Sequence, residues 1–156
     1  PEKKGLIYFD RTIVIEVKVV RPTLLKPSKN AGKMGATQTN GIVSDGFPFV
    51  GLLHLVVPES RSDEEKEAMS NGYLMDMFPL ESAIRQDGRL KKLGLPSFVG
   101  FSSTGLASND TGFFGSSFGV EEHCEINPNV NVDIINSVKK LFYSNKIEFK
   151  KVETYG

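Results

Sequence analysis

The sequence predicts an α/β domain, a small central mixed β-sheet flanked by helices, and three features predict it. Two runs of strand length, TIVIEVKVV (12–20) and FPFVGLLHLVV (47–57), are dense in Val, Ile, Leu and Phe, the composition of buried strands. From Pro128 onward Val132, Ile135, Val138 and Phe142 recur at helical spacing, with Lys139 and Lys140 toward the C-terminal end, where cations complement the helix dipole. Hydrophobic residues make up 39% of the 156 positions, including 11 Phe, enough to bury the core of one domain spanning 1–156.

The elements follow in order. GLIYF and TIVIEVKVV flank Asp10 and Arg11, and two apolar runs with a two-residue polar break predict a hairpin. Pro1 stands directly in front of its first strand, which fits a fragment or processed domain lacking an upstream element. After two prolines and Asn30-Ala31-Gly32, a short helix is expected over Lys33 to Asn40, ended by Gly41. The second apolar run is closed by Pro58. Behind it, SRSDEEKEAM opens with Ser and an acidic first turn, so a helix is expected over 62–70. Residues 96–120 mix Gly and Ser with five Phe and read as strands joined by turns, a hairpin or insertion. IEFKKVETY adds a short edge strand at the end. The centre of the sheet is therefore expected at 5–9, 12–20 and 48–57.

Charge is balanced overall, with 19 Lys and Arg against 19 Asp and Glu, so no global field drives the chain to nucleic acid or membrane. Its distribution is uneven. Residues 1–40 hold eight Lys or Arg against three acids, Lys139, Lys140, Lys146, Lys150 and Lys151 form a second basic group, and 59–67 is mostly acidic. Segregation of this kind fits a polyanion-facing side. The single Cys124 excludes an internal disulfide and a cysteine metal cluster and fits a reducing compartment, the cytoplasm. No run approaches the ~20 apolar residues of a membrane span.

The chemistry concentrates in the second strand. Side chains alternate along a strand, so Thr12, Val14, Glu16 and Lys18 share one face and Ile13, Ile15, Val17 and Val19 the other. An acid and an amine on one face of a core strand are costly unless something answers them, a metal, a partner or a cleft. Carboxylates hold hard divalent cations, and a Lys beside the cation orients or deprotonates an attacking water or balances a phosphate. As a plain structural feature, the same pair is a solvated ion pair contributing only ~0–1 kcal/mol.

PEKKGLIYFDRTIVIEVK, then GKMGATQTNG, then FPFVGLLHLVV resembles the PD-(D/E)xK nuclease superfamily, in which a strand hairpin carries an acid and then Glu-x-Lys, followed by a helix and another core strand. The resemblance covers the first 57 residues or so. It implies a restriction-endonuclease-like core and a metal-dependent phosphodiesterase that cuts DNA, with Mg²⁺ or Mn²⁺ held by Glu2 and Glu16, Lys18 as the catalytic amine and Gln38 as a polar helper on the helix. The family's first acid is Asp after Pro, and here Glu2 follows Pro1. A simple hairpin about Asp10-Arg11 pairs residue 5 with 16 and 3 with 18, which sets Glu2 on the opposite face from Glu16. Either a bulge brings it round, or the acid lies upstream, or the site has lost a ligand and cuts nothing. The alternative function is a non-catalytic nucleic-acid- or protein-binding module on such a scaffold, in a homodimer or larger assembly.

Arg21, Lys26, Lys29 and Lys33, directly after the Glu-x-Lys strand, are candidates for phosphate contacts. Other motifs read as structure. GSSFG (115–119) matches a nucleophile elbow at Ser117, but no acid–His pair follows in workable order, so a Gly/Ser turn is expected. EEHCE (121–125) groups Glu121, Glu122, His123, Cys124 and Glu125, yet adjacent strand residues point to opposite faces and no second cluster completes a tetrahedral set. His54 is expected in the core or beside the Glu16/Lys18 cleft. The Phe residues of 98–118 are expected to pack rather than stack on bases.

Overall fold

The computed structural model describes residues 7–23, 35–57, 78–109, 112–117 and 124–145. In chain order these form a 3₁₀ turn (Phe9–Arg11), β1 (Ile13–Val20), α1 (Ala36–Asp45), β2 (Phe49–Val56), α2 (Phe78–Leu90), β3 (Gly100–Asn109), β4 (Gly112–Ser117) and α3 (Val132–Ser144). The helix expected over 62–70 and the final edge strand lie outside the described residues.

The expected mixed sheet built around a hairpin, with its restriction-endonuclease-like core, is overturned. β1, β2 and β3 stand side by side in that order and all run parallel, alternating with α1 and α2; β4 joins only at the far side, antiparallel to β3. The reason lies at Asp10-Arg11. A two-residue hairpin loop needs positive φ and hence Gly, Asn or Asp in the right places. Here the chain instead winds right-handed through Phe9–Arg11, with Arg11 N–H donating to Tyr8 O at 3.1 Å, Thr12 N–H to Phe9 O at 3.2 Å, and Thr12 Oγ1 to Phe9 O at 2.7 Å. Ile7 and Tyr8 belong to no strand, so β1 takes its partner from beyond α1. Ile13 pairs with Phe49 and Val20 with Val56, and the ladder is extended at its ends by Phe49 N–H to Thr12 O and Val57 N–H to Val20 O.

Both helices cover one face. The covered face carries Val14, Glu16, Lys18 and Val20 from β1, Val50, Leu52, His54 and Val56 from β2, and Phe101, Ser103 and Gly105 from β3, which the register aligns in rows. α1 enters through Gly35, whose φ of +92° is left-handed and whose missing Cβ would sit 2.6 Å from Leu52 Cδ1 and 3.3 Å from Lys18 Cγ. A side chain there is excluded both by backbone and by space. The helix runs on through Gly41 to Asp45 and stops at Gly46, whose N–H bonds Val43 O. The expected stop at Gly41 fails because Thr39 is buried and Ile42 and Val43 are half-buried, so the next turn still has contacts to make.

The sequence reading contains no counterpart of α2. Its buried residues are Pro79, Ser82, Ala83, Gln86, Asp87 and Leu90, a helical stripe written mostly in small and polar residues. Small residues permit close approach: a Cβ on Gly105 would meet Pro79 O at 2.5 Å, and Ser103 Oγ donates to Ala83 O at 2.5 Å.

A polar strap, residues 124–131, ties the start of β2 to the end of α1. Asn127 is buried, its N–H bonds Pro48 O, its amide nitrogen donates to Val43 O at 3.0 Å and Phe47 O at 3.1 Å, and its Oδ1 accepts from Asn129 N–H. Asn131 N–H donates to Gly46 O, and Asn131 Oδ1 caps α3 by accepting from Asp133 N–H. α3 returns to the 3₁₀ turn, where Phe142 and Tyr143 meet the Phe9 ring at 5.6 and 5.9 Å.

The other face of β1 is about half exposed. Ile13, Ile15, Val17 and Val19 are between 58% and 44% exposed, while Val20, Val50 and Val56 on the covered side are essentially inaccessible. Among the described residues no helix is long and apolar enough to cross a membrane.

Candidate functional site

Period-two alternation puts Glu16 and Lys18 on the covered face, and both survive there because each answers the other. Lys18 Nζ lies 2.6 Å from Glu16 Oε1, and the two side chains retain 24% and 22% of their surface. They are neither splayed into water nor sealed. They stand on the outer strand of the sheet, next to the entry of α1, and Lys18 Cγ is among the atoms nearest to the place of a Gly35 side chain.

The register builds a row from this pair inward. Lys18 stands beside His54, and His54 beside Ser103; Glu16 stands beside Leu52, and Leu52 beside Phe101. Neighbouring strands lie about 4.8 Å apart, so each row is one side chain's reach across. His54, only 1% exposed, is a core histidine in the row of the cleft rather than a group open to a dissolved ligand. Ser103 is committed to the Ala83 carbonyl. This Lys–His–Ser row was hidden in the sequence because it depends on the register across two crossovers, which no local spacing reports.

The remaining candidates are dispersed. Gln38 is exposed in the first turns of α1, and Arg21 is exposed one residue past β1. Glu2, Lys26, Lys29 and Lys33 lie outside the described residues. Ser117 is the last residue of strand β4, and the residues directly after it lie outside the described residues. Cys124 Sγ is turned to Val50 O at 3.1 Å and Glu125 is exposed. Among the described residues no three His, Cys, Asp or Glu side chains gather into a group able to hold a metal ion.

The described residues therefore do not make a Mg²⁺ site by themselves. Hard cations want several oxygen ligands, and here one carboxylate is available whose charge is already met by an amine. What the arrangement does supply is an ammonium on the outer strand whose stem packs at the glycine that opens a ten-residue helix. An ammonium and a helix N-terminus both favour anions. Comparison with protein-family models, with curated proteins and with solved structures finds no match for this chain.

Proposed function

We propose that the chain handles the phosphodiester backbone of DNA beside the Glu16–Lys18 pair, on the face of β1 next to the entry of α1, and acts as an endonuclease that requires Mg²⁺ or Mn²⁺. One observation carries the reading: Glu16 and Lys18 are held together, half-covered, on an outer strand beside the glycine-opened start of α1. The reading rests on the resemblance of Glu16-Val17-Lys18 to the Glu-x-Lys motif of the PD-(D/E)xK superfamily. In this role Lys18 answers phosphate charge, Glu16 orients the ammonium until a phosphate replaces it, and Arg21 extends the cationic edge. The carboxylate that Glu16 lacks as a co-ligand is assigned to Glu2. A cytoplasmic setting agrees with the single cysteine.

The test is nicking of supercoiled plasmid with Mg²⁺ or Mn²⁺. Glu16→Ala, Lys18→Ala and Glu2→Gln variants that keep the wild-type circular dichroism spectrum are expected to lose about a hundredfold or more in rate. A second reading, a non-catalytic binding module, is favoured by the fact that Lys18 already satisfies the Glu16 carboxylate. It is the correct one if the wild-type chain retards DNA or a protein partner without any metal and leaves the plasmid intact.

A further inference from the structure

β1 ends the sheet, and among the described residues the backbone groups on its outer edge have no ladder partner. An unpaired edge of eight residues, without proline and rich in Val and Ile, is a template for another strand. We propose that its occupant is the β1 of a second copy, paired antiparallel about a two-fold axis through Val17.

The charge pattern selects this occupant and this register. An axis through Val17 sets each residue opposite the one whose number completes 34. Glu16 then faces Lys18 of the second copy, and Lys18 faces its Glu16. Opposite charges directly across an antiparallel pair attract, and like charges repel. The neighbouring antiparallel registers that keep the two covered faces on the same side pair Glu16 with Glu16 or Lys18 with Lys18. On the half-exposed face Val17 meets Val17 and Ile15 meets Val19, so β-branched side chains now exposed gain cross-strand neighbours. Pro22, which lacks an N–H, falls opposite Thr12 and limits the ladder at both ends. α1 lies over β1 and β2, nearer β2, so the two copies of α1 would stand about 10–14 Å apart across the axis and leave the seam uncrowded. The product is one continuous eight-stranded sheet with a four-charge cluster at its centre.

Sedimentation equilibrium of the whole chain tests this. The wild type is expected to dimerise, more weakly at high salt. Lys18→Glu, which sets acid against acid, and Glu16→Lys, which sets base against base, are each expected to weaken the dimer about tenfold or more. An equal mixture of the two variants is expected to recover a heterodimer, which restoration of an intrachain pair does not explain. In a Cys124→Ser background, Val17→Cys is expected to be crosslinked to itself across the axis by a short bis-maleimide, since directly opposed side chains start about 5 Å apart. A wild type that stays monomeric, a mixture that stays monomeric, or a Val17→Cys variant that the bis-maleimide leaves uncrosslinked overturns the proposal.

Discussion

Two residues show how single atoms decide the local structure. Gly35 combines a left-handed backbone with Leu52 and Lys18 pressed against the place of its absent side chain. Gly35→Ala therefore adds backbone strain of about 1–2 kcal/mol to an overpacking cost of about 1–3 kcal/mol. Urea unfolding is expected to report a loss of roughly 2–5 kcal/mol, and a loss within error of zero would mean that the entry to α1 is looser than described. Asn127 is the opposite case, a polar side chain indispensable in an interior position. Its amide donates to two backbone carbonyls and accepts from one N–H. Asn127→Ala leaves buried carbonyls without this donor at about 1–3 kcal/mol. Asn127→Asp keeps the shape but turns an acceptor toward two acceptors, so it is expected to be the more destabilising of the two despite being nearly isosteric.

At the scale of elements, α2 is the informative one. Its inward stripe has flawless helical spacing, but hydropathy sees only Leu90 and Ala83 in it, because Ser82, Gln86 and Asp87 occupy positions usually given to large apolar side chains. Ser82 Oγ and Gln86 Oε1 are buried and, among the described residues, have no hydrogen-bond partner. Ser82→Ala removes an unsatisfied hydroxyl and raises helix propensity, so thermal unfolding is expected to show no loss, or a gain of up to about 1 kcal/mol. A clear loss would reveal a bond to that hydroxyl. The same contrast explains what could be read in advance. α3 announced itself through Val132, Ile135, Val138 and Phe142, and β1 and β2 through their length and branched residues. α1 was found but cut short at Gly41, since a glycine signals a stop only where the chain has no further contacts to make. Glu16 and Lys18 were legible as a pair because period two is a local property. Their alignment with His54 and Ser103 was not, because strand register is fixed by crossovers through α1 and α2.

For the whole molecule, one short turn decides the architecture. Had Asp10-Arg11 closed a hairpin, β1 would have had an antiparallel neighbour on its outer side; the 3₁₀ turn denies it that neighbour, and β1 becomes the end of a parallel sheet. Parallel sheets are ordinarily covered on both faces, whereas here α1 and α2 share one face and the four branched residues of β1 on the other remain about half exposed. Val19 and Val20 isolate the consequence, being adjacent, chemically identical and on opposite faces, with exposures of 44% and 2%. Val→Ala removes the same atoms and the same strand preference at either position. Only Val20 also leaves a void beneath a helix, so Val20→Ala is expected to cost about 2–3 kcal/mol and Val19→Ala less than about 1 kcal/mol by denaturant titration at low protein concentration. If the two variants lost equal stability, Val19 would be as well packed in solution as Val20. That face of β1 would then be covered by something that folds with the chain.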